Sequence, residues 1–459
     1  MFGVLLLLSM NYAILRSVRN TVAVVGLGKS AYSIPFFELF GVLPAAFLMT
    51  WILSRQLSRH SPQRIFSAVS LSFTLFFLTF ALFIYPALTV WQEKTLWNPF
   101  YIKIVLQSCS MVYYIMAELW QPALINILFW GFINAHVPKD TASQLYPFLL
   151  LGSCTGALLA GPVIMTCTAK LFPWHVSGDP WINSFVILTC IMACITCLAV
   201  ALFQNLTAHT GTYLGREEKA DNNFKDSLHA CFNSKALKLM SWIVIAEYVA
   251  YALGEVIFLD VLKLYAPAPC DYCSFMGRLS IANNVLTMAL LLFITPVILR
   301  KYKWVVSALV LPITLLVIEL AFFICLRNEG MSTRIFGWTH SSWLQALVLL
   351  GAVQYCVCRS MKYTFSDASK ELAFVAMPDD LKMRGKLIVD GICSRLGRGG
   401  ASALSLSFIN FYGGSVIASS SITGLVAVAI AATVVLATRH LGLYLEHRPT
   451  VQPSPHNWS

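Results

Sequence analysis

Six arginines (Arg16, Arg19, Arg278, Arg359, Arg395 and Arg398) and five acids (Glu118, Glu247, Glu255, Glu319 and Asp390) stand inside long apolar stretches of this sequence. A charged side chain at the centre of a bilayer costs about 2.5–3.5 kcal/mol even on a lenient scale. Each therefore needs an opposite charge, a water-filled cavity or a route to the interface. Arg16 and Arg19 are spaced i, i+3, as are Arg395 and Arg398, and Lys386 and Asp390 are spaced i, i+4, so each pair shares a helix face. Gly397, Gly399 and Gly400 leave the backbone beside the second arginine pair open to close approach. A structural salt bridge or snorkelling accounts for any one of these ions more readily than for the set. Among these eleven ions arginines outnumber acids, so a mobile polyanion is a fitting partner, and the planar guanidinium fork suits phosphate.

Other chemistry is weakly signalled. Gly26-Leu27-Gly28-Lys29-Ser30 has neither the spacing nor the strand-to-helix context of a P-loop, which argues against an ATPase. Gly152, Gly156 and Gly161 form a small-residue face of the packing kind. Cys270 and Cys273 make a lone C-x-x-C without a second ligand pair, so an incidental pair or a local disulfide is expected there, and no metal or cofactor. His136, His175 and His229 read as ordinary polar groups of loops or interfaces. With no metal cluster and no nucleophile–base constellation, the residues do not suggest an enzyme, and without a substantial extramembrane domain they do not suggest a receptor.

The elements that hold these charges are set by composition. The chain has 459 residues, 58% of them hydrophobic and 12% charged, and a mean hydropathy of +0.71, too apolar for a soluble domain. Twelve spans are expected: Phe2 to Val25, Pro35 to Leu53, Ile65 to Trp91, Tyr101 to Ile133, Leu145 to Thr168, Ile182 to Gln204, Leu239 to Leu262, Phe275 to Leu299, Trp304 to Leu326, Trp343 to Phe365, Leu387 to Phe411 and Val416 to Ala437. A β-barrel would need short alternating strands instead. The first span should be retained, since no basic n-region or cleavage site marks a signal peptide, and its abrupt start points to a missing cytoplasmic leader. The net charge of +11 is scattered over short loops and apolar segments, which excludes a nucleic-acid patch. Most cysteines lie in apolar segments as small hydrophobes, with no disulfide framework.

With the N-terminus inside, Lys and Arg concentrate on one set of loops, so both termini are expected in the cytoplasm. The polar stretch 205–238, also cytoplasmic, divides a six-helix half at 1–204 from a second at 239–438, with a tail at 439–459. This is an all-α integral membrane protein with two six-helix halves in the major-facilitator manner, built for alternating access.

The motifs identify a resemblance over nearly the whole chain to the non-mitochondrial ATP/ADP translocases of plastids and obligate intracellular bacteria. The stretch from Asn11 to Asn20 resembles N-Y-T-x-L-R-D-x-K-D, and Ile34-Pro35-Phe36 with Leu43-Pro44-Ala45-Ala46 resembles the next span. Met116-Ala117-Glu118-Leu119-Trp120, Leu128-Phe129-Trp130-Gly131-Phe132 and Asn134 match the fourth. Lys362-Tyr363, Asp367, Lys370-Glu371-Leu372-Ala373, Lys382, Gly385-Lys386 and Asp390 resemble K-Y-x-x-F-D-x-x-K-E-M-A through K-x-K-G-K-A-A-I-D, and Arg398-Gly399-Gly400 stands in place of K-S-G-G.

The resemblance implies that Arg19, Glu118, Glu255 and Lys386 carry transport. It differs in that Arg19 replaces lysine, Ser17 and Asn20 replace aspartates, and Pro122 interrupts the segment after E-L-W. The expected substrates are ATP, ADP or other nucleoside phosphates. The expected site comprises Arg16, Arg19, Glu118, Glu255, Arg359, Lys386, Asp390, Arg395 and Arg398, and the expected reaction is ATP/ADP exchange in the cytoplasmic membrane of an intracellular bacterium. The alternative is proton-coupled net import of nucleoside triphosphates with broader base preference, with Glu118 or Glu255 carrying the proton.

Overall fold

The computed structural model describes residues 1–27, 30–57, 59–94, 99–137, 139–169, 178–210, 234–328, 339–375, 377, 385 and 387–446, which form helices and no strand. In chain order the long helices are α1 Phe2–Gly26, α2 Ser33–Leu57, α3 Pro62–Trp91, α4 Tyr101–Asn134, α5 Phe148–Thr168, α6 Pro180–Thr207, α7 Lys235–Tyr265, α8 Pro269–Ile298, α9 Trp304–Arg327, α10 His340–Phe374, α11 Leu387–Cys393 running on as Ser394–Phe411, and α12 Ser420–Leu445. All but α11, eleven among the described residues, are long and apolar enough to cross a membrane. The exception carries Asp390, Arg395 and Arg398, and those charges are what lower its hydropathy.

Large apolar side chains lie on the outside. Phe47, Trp51, Leu75, Phe83, Phe293 and Phe411 are all more than half exposed, as suits a surface solvated by lipid. Within the helices, serine and threonine hydroxyls fold back onto carbonyls one turn earlier, as Ser17 does to Ala13 (3.1 Å) and Thr21 to Ser17 (2.8 Å). This satisfies a polar group without water.

Seven wide π-helical segments interrupt the α-helical ladder among the described residues. Glu38–Val42, Phe80–Ile84 and Leu290–Ile294 each end two residues before a proline (Pro44, Pro86 and Pro296), and Pro122–Phe129 begins on one. Proline lacks an N–H and its ring collides with the carbonyl four residues back, and a widened turn relieves both. Pro122 therefore does not break the fourth span, because α4 continues through it.

The chain falls into two compact units, Met1–Gly215 with Leu262–Met288, and Arg216–Val261 with Ala289–Ser459. In the first, α1 is the central helix, packed on α5, α6 and α4. Gly152 faces the Phe2 ring, Gly161 faces Gly277 and Ile281, and a Cβ on Gly156 would overlap the Leu6 carbonyl, so these glycines serve packing. Asn11, buried on α1, donates to Thr196 Oγ1 at 2.8 Å and to the Met192 carbonyl at 3.2 Å. In the second unit α9 packs on α12 and α10, and the turn between α11 and α12 uses Gly413 and Gly414 at φ +67° and +88°. Thermal unfolding in detergent should show Gly156→Val destabilised by about 1–3 kcal/mol through overpacking. Gly131→Ala, whose Cβ meets nothing within 4 Å, should keep the parent's stability.

Candidate functional site

In the first unit the site is built on α1 and α4. Arg19 and Glu118 form a salt bridge, their side chains 7% and 9% exposed, so the two ions that sequence reasoning singled out are indeed brought together. The guanidinium carbon of Arg19 also lies 4.8 Å from the ring centre of Tyr114, one turn before Glu118. Tyr114 donates its hydroxyl to Glu38 Oε1 (3.1 Å), and Arg19 Nε donates to Asn20 Oδ1 (3.3 Å). Arg16, one turn earlier on α1, is half-buried. Sequence reasoning missed Tyr114 and Glu38. An acid inside the apolar run of α2 was the available signal for Glu38, and the i, i+4 spacing to Glu118 was the signal for Tyr114.

The second unit holds the other candidates. Glu255 on α7 is half-buried, as are Arg359 on α10 and Arg395 on α11, whereas Arg398 is exposed. Arg359 lies between two tyrosines, its guanidinium carbon 6.0 Å from the Tyr355 ring centre and 5.9 Å from that of Tyr363. Arg398 lies 5.7 Å from the Tyr248 ring centre. Lys386 lies outside the described residues; Asp390 is on the helical backbone of α11 and its side chain is outside the description. Lys362, inside the expected span Trp343 to Phe365, is helical, and α10 continues past it through the π segment Lys362–Ser366.

The π segments that no nearby proline accounts for are Val22–Gly26, Lys362–Ser366 and Leu387–Cys393. They follow Arg19, begin at Lys362 and carry Asp390, respectively. Widened turns recur at functional sites because they re-aim the side chains that follow.

Both remaining membrane acids meet polar partners in the second unit. Glu247 on α7 accepts from Ser366 Oγ (2.8 Å), and Glu319, fully buried on α9, accepts from Gln354 Nε2 on α10 (2.7 Å). Gly254 of α7 abuts this second pair, since a Cβ there would lie 2.6 Å from Glu319 Oε1. Cys270 and Cys273 are both free thiols, so of the two expected alternatives the pair is the incidental one and not a local disulfide. Among the described residues no three His, Cys, Asp or Glu side chains gather into a metal site.

The model of a family described as TLC ATP/ADP transporter matches residues 1–444. The chain is 27% identical to ADP,ATP carrier protein 1 of Chlamydia trachomatis serovar D, the alignment covering 88% of this chain and 80% of that protein. It is also 27% identical to the chloroplastic ADP,ATP carrier protein 1 of Arabidopsis thaliana, over 94% of this chain and 71% of that one. Among solved structures, a POT family transporter in complex with a thioalcohol-conjugated peptide superposes with a TM-score of 0.60 at 12% identity, covering 96% of both chains, which shows a shared fold.

Proposed function

We propose, from the premise that this chain belongs to the TLC ATP/ADP transporter family, that it exchanges ATP for ADP across a membrane by alternating access. It is a multi-pass membrane protein, and we read it as a carrier rather than an enzyme, set in the cytoplasmic membrane of an intracellular bacterium. In this reading both termini and the stretch 205–238 face the cytoplasm. The two six-helix halves, 1–204 and 239–438, are the bodies that rock.

The observation that carries the reading is the buried Arg19–Glu118 pair, which falls on the two motif positions of the first half. Separating a buried ion pair by removing one partner costs about 3–5 kcal/mol. A charge-assisted hydrogen bond returns about 1.5–3 kcal/mol. One charge-assisted contact therefore does not open the pair, while the several contacts that a polyphosphate chain makes do. In the loaded state Arg19, Lys386, Arg395 and Arg398 hold phosphate oxygens, with Arg16 and Arg359 adding positive field. In the empty state Glu118 and Glu255 pair with cations in their place. In the sequence Asp390 stands four residues after Lys386, and we read it as the acidic partner of that lysine.

The test is uptake of labelled ATP into liposomes containing the purified chain, competed by a panel of unlabelled solutes. ATP and ADP should compete strongly, and AMP at least tenfold more weakly. Equal competition by AMP or by adenosine would show that phosphate number is not what the site reads.

A further inference from the structure

Cations and tyrosines alternate through the second unit. From Arg359, near the rings of Tyr355 and Tyr363, the run continues to Lys362, whose ammonium is 5.4 Å from the Tyr363 ring centre and 3.6 Å from that of Tyr248. Arg398 then approaches the same Tyr248 ring at 5.7 Å. The run joins α10, α7 and α11, and its centre is one ring shared by two cations.

Two like charges on one ring repel, and a ring face attracts each of them. The fold enforces this arrangement. Gly397, the neighbour of Arg398, brings α11 so close to α7 that a Cβ would stand 2.7 Å from Tyr248 Cβ and 2.9 Å from the Ile245 carbonyl oxygen. Lys362 opens a π segment that no proline accounts for. Two acids interact near this run: Glu247, which takes the Ser366 hydroxyl and also interacts electrostatically with Lys362, and Asp367, which holds Lys370 at 3.1 Å. Three cations, Arg359, Lys362 and Arg398, lie along the run, two of them on the same ring.

We propose that Lys362 and Arg398 are a phosphate-binding pair of the C-terminal unit, and that Tyr248 is the positioning residue that holds them together for a polyphosphate chain. The inference rests on the reading that the substrate is a nucleoside di- or triphosphate. It gives a role to Lys362, a motif residue without one, and adds Tyr248, which lies in none of the quoted motifs. A polyanion bridging the two cations turns their mutual repulsion into shared attraction, and a single phosphate engages only one of them.

The experiment is equilibrium binding of ATP, AMP and inorganic pyrophosphate to the full chain in lipid nanodiscs. Lys362→Gln and Arg398→Gln should each weaken ATP and pyrophosphate at least tenfold and AMP less than threefold. Tyr248→Leu should weaken ATP and pyrophosphate similarly, and Tyr248→Phe, which keeps the ring, should bind within threefold of the parent. Parent-strength ATP binding by Lys362→Gln, equal losses for ATP and AMP, or failure of phenylalanine to rescue would each overturn the proposal. If Tyr248→Leu does not fold, as melting without nucleotide would show, the two cation variants decide. A parent that binds pyrophosphate through Lys362 but not ATP would sink the nucleotide reading and leave the pair standing. A parent that binds ATP with no help from Lys362 does the reverse.

Discussion

Arg19→Ala abolishes nucleotide uptake, by at least about 100-fold, because the two arms of the guanidinium each contribute about 1.5–3 kcal/mol to a bound phosphate. The same substitution leaves Glu118 buried without its cation, which by itself destabilises the fold by about 3–5 kcal/mol. Transport loss and misfolding are separated by a double variant. Arg19→Ala with Glu118→Ala removes both charges, so it should recover most of the lost thermal stability and none of the uptake. Arg19→Lys keeps the charge and restores the residue type of the resembling motif, and should transport within about tenfold of the parent. Uptake by the double variant at the parent rate would show that the pair is structural only.

A second large effect is expected where no transport role is assigned. Gln354→Leu removes the donor to Glu319, a fully buried side chain whose second oxygen already has no hydrogen-bond partner. Stranding a buried acceptor costs about 1–3 kcal/mol, and more when it is charged. The variant should therefore melt well below the parent. Glu319→Leu combined with Gln354→Leu should recover most of that loss, because an apolar pair strands nothing. If the single and double variants melt alike, the Glu319–Gln354 bond is not what holds α9 to α10.

Much of this was legible in the sequence, for reasons that particular residues make clear. Apolar runs of about 20 residues determine the spans. That Glu118 pairs with a cation could be anticipated because an ion in lipid must find an opposite charge, but that the cation is Arg19 is known only from the structure. Partner choice among uncharged groups was not legible. Tyr114, Tyr248 and Tyr363 look like any aromatic of an apolar span until their rings are seen beside cations. Helix register also escaped a periodic reading. Widened turns such as Lys362–Ser366 shift the face that follows, and only those tied to Pro44, Pro86, Pro122 and Pro296 leave a mark in the sequence.

The buried pair also bears on coupling. In the proposed reading the empty site re-pairs Arg19 with Glu118, but the cations that outnumber the two acids there lose their polyanion, and carrying that excess charge through the rocking step makes empty return slow. Return with a counter-nucleotide avoids this cost. A carrier whose Glu118 or Glu255 took up a proton would instead return empty. The decisive measurement is uptake of labelled ATP into liposomes preloaded with ADP, set against empty liposomes, each with and without an uncoupler. The account predicts strong stimulation by internal ADP and little response to the uncoupler. Robust uptake into empty liposomes that the uncoupler abolishes would contradict it and assign the chain to proton-coupled import.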